Sequence, residues 1–356
     1  MKPLRCVVLG AGLMGRLLAH ALTVQGHQVR VFEAQGPDAQ GAAARVAASM
    51  LAPLAESAIT ELPVVRMGQY SLGRWPELLA QLPAPVFFQR EGTVIVWHRQ
   101  DASEAKRFAD KLQATRLQMP ELAAPQALQQ PDLAALEPSL AHKFNQGLWL
   151  PQEGQLDNRQ LLDALLHALT HSSAELHWHS SVSPEDFQPE DADWVLDCRG
   201  LGAKPQWAGL RGVRGEVLRL HAPEVRISRP VRLIHPRYPL YIAPKEKGVF
   251  VVGATEIETD DLSPASVRST LELLSAVYSV DSGFAEARIL EMNTQARPTL
   301  PDNLPAIHAP RPGVLQINGL YRHGFLIAPA MLDATLALMQ GDSTLAQHWG
   351  LGGVAA

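Results

Sequence analysis

Three glycines, Gly10, Gly12 and Gly15, stand in a Gly-x-Gly-x-x-Gly spacing directly after the apolar run of residues 4–9. In that spacing each has its own task. The first permits a tight turn, the second lets a pyrophosphate approach the backbone, and the third lets a helix pack on its strand. Leu13 and Met14 open the helix, whose free N–H groups and positive dipole end suit phosphates. Glu33 closes the next strand, where a carboxylate accepts hydrogen bonds from ribose hydroxyls. The set predicts a dinucleotide site and reads only the ADP half that FAD and NAD share. A tight strand-to-helix turn with a solvated glutamate is the bland alternative.

The elements that must hold these residues follow from periodicity. Leu13, Leu17, Leu18, Ala21 and Leu22 recur at helical spacing, Gly26 stops the helix, and residues 28–33 form a strand, which completes a β-α-β unit of a parallel sheet. A second helix is expected over residues 62–82, then strands over 86–89 and 93–97 that leave the α/β pattern for a second lobe. Residues 154–158 read as a turn and helix cap ahead of Leu161, Leu162, Leu165, Leu166 and Leu169. Strands are expected at 176–179 and 194–198. Alternating or β-branched runs at 213–220 and 240–253 predict an antiparallel sheet roofing the site. Residues 313–339 return to strand, turn and helix, so the first domain is completed by the C-terminus. Alanine and glutamine enrichment over 114–136 predicts a surface excursion.

Composition narrows the class of function. With 31 Lys and Arg against 36 Asp and Glu, the net charge of -5 gives no basic footprint for nucleic acid. Cys6 and Cys198 sit among apolar neighbours and read as core thiols, so neither a disulfide framework nor a zinc or other metal site is expected. No apolar run approaches the roughly 20 residues of a membrane span, and the start of the chain lacks a signal-peptide pattern, so a cytoplasmic protein without stable membrane insertion is expected.

Four separated motifs in order carry a family resemblance. Residues 47–53, Ala-Ala-Ser-Met-Leu-Ala-Pro, resemble the second signature of the glycine oxidase branch of the D-amino-acid oxidase flavoproteins; Ala44 and Ser49 stand where that family usually has serine and glycine. Residues 197–202, Asp-Cys-Arg-Gly-Leu-Gly, resemble the turn beside the flavin's ribityl and phosphate portion. Arg297-Pro298-x-x-Pro301-Asp302, and residues 319–324 followed by Ala328-Pro329, resemble the paired C-terminal motifs. The resemblance is weakest over residues 100–140. It implies non-covalent FAD, since members with covalent flavin use a cysteine near the C-terminus. It also implies an α/β fold, with a Rossmann-like FAD-binding domain (residues 1–85, 151–215 and 298–356) and an α+β substrate domain on an antiparallel sheet (86–150 and 216–297). Beyond the fingerprint, it implies cofactor contacts from Ala48, Ser49, Met50, Val182, Arg199, Gly200, Arg322, His323, Gly324, Phe325 and Leu326. Pro329 suits the first turn of a helix that would aim its N–H groups at a ring carbonyl.

For the substrate, the resemblance assigns Arg297 to a carboxylate clamp, Tyr241 to a hydrogen bond with the same group, and Arg322 to framing the amine. A planar guanidinium suits a bidentate carboxylate. A solvated arginine and a core tyrosine are the bland alternatives. Glu256 stands where it could face the amine or solvent. His323 is not needed as a base, because hydride transfer from a neutral amine requires none. The implied activity is oxidation of glycine, sarcosine or small D-amino acids to the imino acid and then the keto acid, with O2 as partner and H2O2 as product, which could supply an imino acid for thiamine thiazole synthesis. A homo-oligomer is compatible with it. Open alternatives are a dehydrogenase passing electrons to a quinone or carrier, a flavin module acting on modified tRNA, and a non-catalytic nucleotide sensor.

Overall fold

The N-terminal apolar run becomes the strand Arg5–Leu9, buried from Cys6 onward, because it lies inside a sheet covered on both faces. The computed structural model describes residues 2–236 and 239–352. Among these residues the strands form three sheets. The first runs in the order Ala306–Arg311, Val314–Asn318, Trp194–Asp197, Arg5–Leu9, Gln28–Phe32, Glu175–His177, all parallel except the antiparallel first pair. The C-terminal segment therefore completes the N-terminal sheet. The helices Leu13–Val24, Asn158–Thr170 and Gly324–Met339 cover it through Leu17, Leu18, Leu161, Leu165 and Met331. Asp157 caps the second of these, its carboxylate accepting from the Arg159 and Gln160 N–H groups.

The second sheet has eight strands, from Arg288–Thr299 through Arg211–His221, Val249–Gly253, Leu240–Pro244, Val231–Ile234 and Thr93–Trp97 to Gln146–Leu150 and Gln126–Gln129. Its pairing is antiparallel except where Val231–Ile234 lies parallel to Thr93–Trp97. Alternation predicts strands but not their direction. The expected surface excursion is corrected here. Residues 102–136 form the helix Ala102–Gln118, the edge strand Gln126–Gln129 and the helix Gln130–Leu136, with Leu112, Leu128 and Leu133 buried. Their exposed alanines and glutamines mark the outer face of a sheet edge.

Three short strands, Met50–Leu51, Gly154–Leu156 and Phe88–Gln89, form the third sheet between the other two. The ribbon of Arg211–His221 and Arg288–Thr299 pairs Arg211 with Thr299, so it runs through the boundaries expected at 215/216 and 297/298.

Candidate active site

A cavity of about 1170 Å³ opens where the sheets meet, larger than the roughly 300–1,000 Å³ of an ordinary small-molecule pocket. Its wall contains every cofactor or substrate residue singled out above except Gly15 and Val182.

At one end lies the glycine turn. Gly10 has φ +88, and a Cβ there would come within 2.8 Å of the Cys198 carbonyl oxygen, so both conformation and space call for glycine. A Cβ on Gly15 would sit 1.8 Å from the Gly10 oxygen; this glycine packs helix on turn and stays out of the cavity. At Gly12 a Cβ would meet only Ala42, at 3.6 Å, so nothing in the protein itself asks for glycine there. Gly12 is the N-cap of Leu13–Val24 and no side chain caps that helix, which leaves its first N–H groups facing the cavity for an anion. Glu33 is held by the Ala11 N–H at 2.6 Å and the Gln35 N–H at 2.9 Å and keeps acceptor capacity for ribose hydroxyls.

Arg199 lines the wall, but its guanidinium is committed to Asp197 through two 2.8 Å contacts and to the Val182 carbonyl at 3.1 Å. Val182 lies behind the wall, packed near Phe32, and its carbonyl is already in use. Gly200 has φ +56 and accepts from the Asn318 amide at 2.9 Å, which joins this turn to the C-terminal one. Cys198 also lines the cavity, and burial pushes its thiol well above the ordinary range.

In the middle of the wall, Ser49 adopts φ +52, a left-handed conformation that favours glycine. Its hydroxyl donates to the Leu156 carbonyl at 2.6 Å and anchors the turn. Ala48 and Met50 flank it. The buried Lys245 donates to the Ala48 carbonyl at 3.0 Å, to Gln155 at 3.0 Å and to the Leu156 carbonyl at 2.7 Å. Burial lowers its pKa to about 7. Lys245 escaped the sequence reading, as did Arg16. Arg16 is 1% exposed and donates to the carbonyls of Ala11, Leu162 and Pro37 at 2.7, 2.7 and 2.5 Å, which fixes the glycine turn. The signal for Arg16 was a charge inside an otherwise apolar helix stripe.

The C-terminal turn presents a second helix end. Gly324–Met339 begins at Gly324 with N-cap His323 and no side-chain cap, and Gly324, Phe325 and Leu326 line the cavity. The expected first-turn position of Pro329 is corrected, because Pro329 lies inside the helix. Lacking an N–H, it leaves the Phe325 carbonyl without a helical donor, and the Trp75 indole supplies one at 3.0 Å. Gly68, Ser71 and Trp75 share one face of Leu62–Leu79 and seat this helix: Leu326 packs on Gly68, and Ser71 accepts from the Ala330 N–H at 3.2 Å.

At the far end the eight-stranded sheet aligns Arg232, Tyr241 and Gly253 in register. The Tyr241 hydroxyl lies over Gly253, where a Cβ would come within 2.7 Å of it. Burial raises its pKa, and Arg297, Arg322 and Arg232 partly offset the rise. The Arg297 guanidinium lies over Gly215 and, among the described residues, donates only to the Thr255 carbonyl, at 3.3 Å from both terminal nitrogens. Among the described residues it has no carboxylate partner. Arg322 has two, Glu56 at 3.2 Å and Glu256 at 2.9 Å. Glu56 also pairs with Arg232 and, at 3.3 Å, with His323. Burial opposes its charge, but Arg322 and Arg232 outweigh it and hold the carboxyl well below its usual range. Burial lowers His323 to about 4, so it is neutral at pH 7.

Residues 5–335 match the family described as FAD-dependent oxidoreductase (DAO). The chain belongs to that family. Its cofactor is therefore FAD, and the two uncapped helix ends opening into one cavity fit a dinucleotide at one end and an electron-rich ring at the other. The protein of Rhizobium etli named as a thiamine biosynthesis oxidoreductase, ThiO, is 41% identical over 92% of this chain and 94% of its own length. Similar folds occur in glycine oxidase from Bacillus cereus (TM-score 0.81, 20% identity, 95% of each chain) and from Geobacillus kaustophilus (TM-score 0.79, 21% identity, 97% and 96%). Among the described residues, no helix is long and apolar enough to cross a membrane.

Proposed function

We propose that this oxidoreductase deaminates glycine, sarcosine or small D-amino acids, and the carrying observation is Arg297. A guanidinium that lines the cavity, donates only to a backbone carbonyl and lacks a described carboxylate partner suits an incoming carboxylate, which the Tyr241 hydroxyl can also hydrogen-bond. These two groups fix the carboxylate and thereby the α-carbon, which is how the protein itself lowers the barrier. Arg322, with its carboxylates, frames the amine. Neutral His323 leaves the amine free to lose its proton to water.

FAD, when bound, would supply the acceptor for the α-hydrogen and its two electrons, and O2 would take these up together with the proton released from the amine, giving H2O2. The imino acid then takes up water and releases ammonia, or methylamine where sarcosine is the substrate, leaving the keto acid, which is glyoxylate for both glycine and sarcosine. FAD would be held non-covalently, by the turns at Gly10–Gly15, Ala48–Met50 and Gly324–Leu326. The name of the Rhizobium etli relative supports a role in supplying an imino acid for thiamine thiazole synthesis. The FAD lobe would comprise the six-stranded sheet with its helices and the substrate lobe the eight-stranded sheet.

The purified protein should be yellow, and its absorbance should bleach on anaerobic addition of glycine or sarcosine and recover with O2. Bleaching without recovery in O2 would point to another electron acceptor. No bleaching by any small amino acid would remove the reading. Acid precipitation should release the flavin into the supernatant.

A further inference from the structure

The charges around the substrate end of the cavity are unevenly matched. Among the described residues, Arg232, Arg297 and Arg322 line the wall with Glu56 and Glu256, and Arg268 and Glu272 line it from the separate helix Val267–Val280. Glu56, with a side chain only 9% exposed, is taken by Arg232, Arg322 and His323. Glu256 differs: its side chain is 49% exposed, one oxygen lies 2.9 Å from Arg322 Nη1, and the other accepts a hydrogen bond from the Tyr321 hydroxyl. Tyr321 reaches it from a backbone at φ +48, in the turn that begins at Gly319 with φ +76. Thr255, the residue before Glu256, supplies the carbonyl that holds Arg297. One short segment therefore positions both the open cation and the anion that covers its neighbour.

The consequence concerns a substrate's second carboxylate. Arg297 can take one. A second that reaches for Arg322 has to lie beside Glu256, against like charge, or displace it and leave Glu256 without its cation; both cost binding energy. A neutral substituent of similar size meets neither obstacle. We propose that Glu256, held by Tyr321, is a specificity-determining residue that masks Arg322 and restricts the enzyme to amino acids bearing a single carboxylate. This rests on the reading of Arg297 as the carboxylate clamp.

The test uses the FAD-loaded enzyme and two N-substituted glycines, sarcosine with a methyl group and iminodiacetate with a carboxymethyl group. The wild type should favour sarcosine. Glu256→Gln, which removes the charge and keeps the shape, and Glu256→Ala, which also uncovers Arg322 Nη1, should each raise the iminodiacetate-to-sarcosine ratio of kcat/KM by about 10-fold or more, the size of one charged hydrogen bond. Tyr321→Phe should move the ratio the same way by a smaller factor. If a variant turns over too slowly, spectral titration of its bound flavin with acetate and malonate reads the same preference through dissociation constants. An unchanged preference in both Glu256 variants overturns the proposal. Failure of the clamp reading looks different: Arg297→Ala would keep native kcat/KM for sarcosine, and the premise here would fall with it.

Discussion

Arg297 owes its availability to an absence of bulk beneath it. A Cβ at Gly215 would come within 2.3 Å of its Nη2, so the strand pair gives the guanidinium room only because residue 215 is glycine. Arg297→Ala should lower kcat/KM for glycine or sarcosine about 10- to 150-fold, the range for a charged hydrogen bond of roughly 1.5–3 kcal/mol, with FAD content unchanged. Lysine keeps the charge without the planar fork, so Arg297→Lys should fall between alanine and the wild type. Gly215→Ala should mimic the lysine variant by pushing the guanidinium aside; native kinetics in Gly215→Ala would show that this seat does not matter. The sequence motif around Arg297 singled it out, and the structure adds that, among the described residues, its hydrogen-bond acceptor is a backbone oxygen. Glu56 could not be singled out in that way. Its partners Arg232, Arg322 and His323 lie in two distant segments, and no local spacing links them.

Two helix ends without side-chain caps open into the cavity, and they were legible to different degrees. The first follows from glycine spacing and helical periodicity, since a fixed turn geometry demands both. The second was expected to begin nearer Pro329, because proline is favoured in a first turn; the helix starts earlier because the Trp75 indole satisfies the carbonyl that Pro329 strands. That donor comes from a helix far away in the chain, which local signals cannot report. The short strands Met50–Leu51 and Gly154–Leu156 were missed as sheet for a related reason: two or three residues carry almost no alternation. The glycines of the first helix end separate two kinds of failure. At Gly12 a Cβ has room in the protein alone, so Gly12→Val should fold with a native circular dichroism spectrum yet purify colourless. At Gly15 a Cβ would overlap the Gly10 oxygen at 1.8 Å, so Gly15→Ala should lose thermal stability even when FAD is supplied. A yellow Gly12→Val, or a Gly15→Ala that melts like the wild type, would break the assignment of these two roles.

At the scale of the whole molecule, the three sheets meet around buried charge, and pH should reach stability through that junction. Glu153 is 2% exposed, and one of its oxygens accepts the Ala55 N–H at 2.7 Å. Burial raises its pKa from 4.5 to about 7, with Arg232 opposing and nearby Glu56 adding to the rise. Between those values the folded protein binds a proton that the unfolded chain releases. Its contribution is therefore fully present below pH 4.5 and is lost as pH rises through 7. His323 acts in the other direction. Burial lowers it from 6.5 to about 4, so stability falls as acid takes the pH from 6.5 towards 4. The two slopes oppose each other in the wild type between pH 4.5 and 6.5, and Glu153→Gln should uncover that of His323. Glutamine keeps an acceptor for the Ala55 N–H and needs no proton to stay neutral. The variant should then be more stable than the wild type at pH 8, by on the order of 2–3 kcal/mol at most, and the difference should vanish near pH 4.5. Urea unfolding of both holoproteins at pH 5 and pH 8 decides it: an equal difference at both pH values would mean that Glu153 does not titrate in this window.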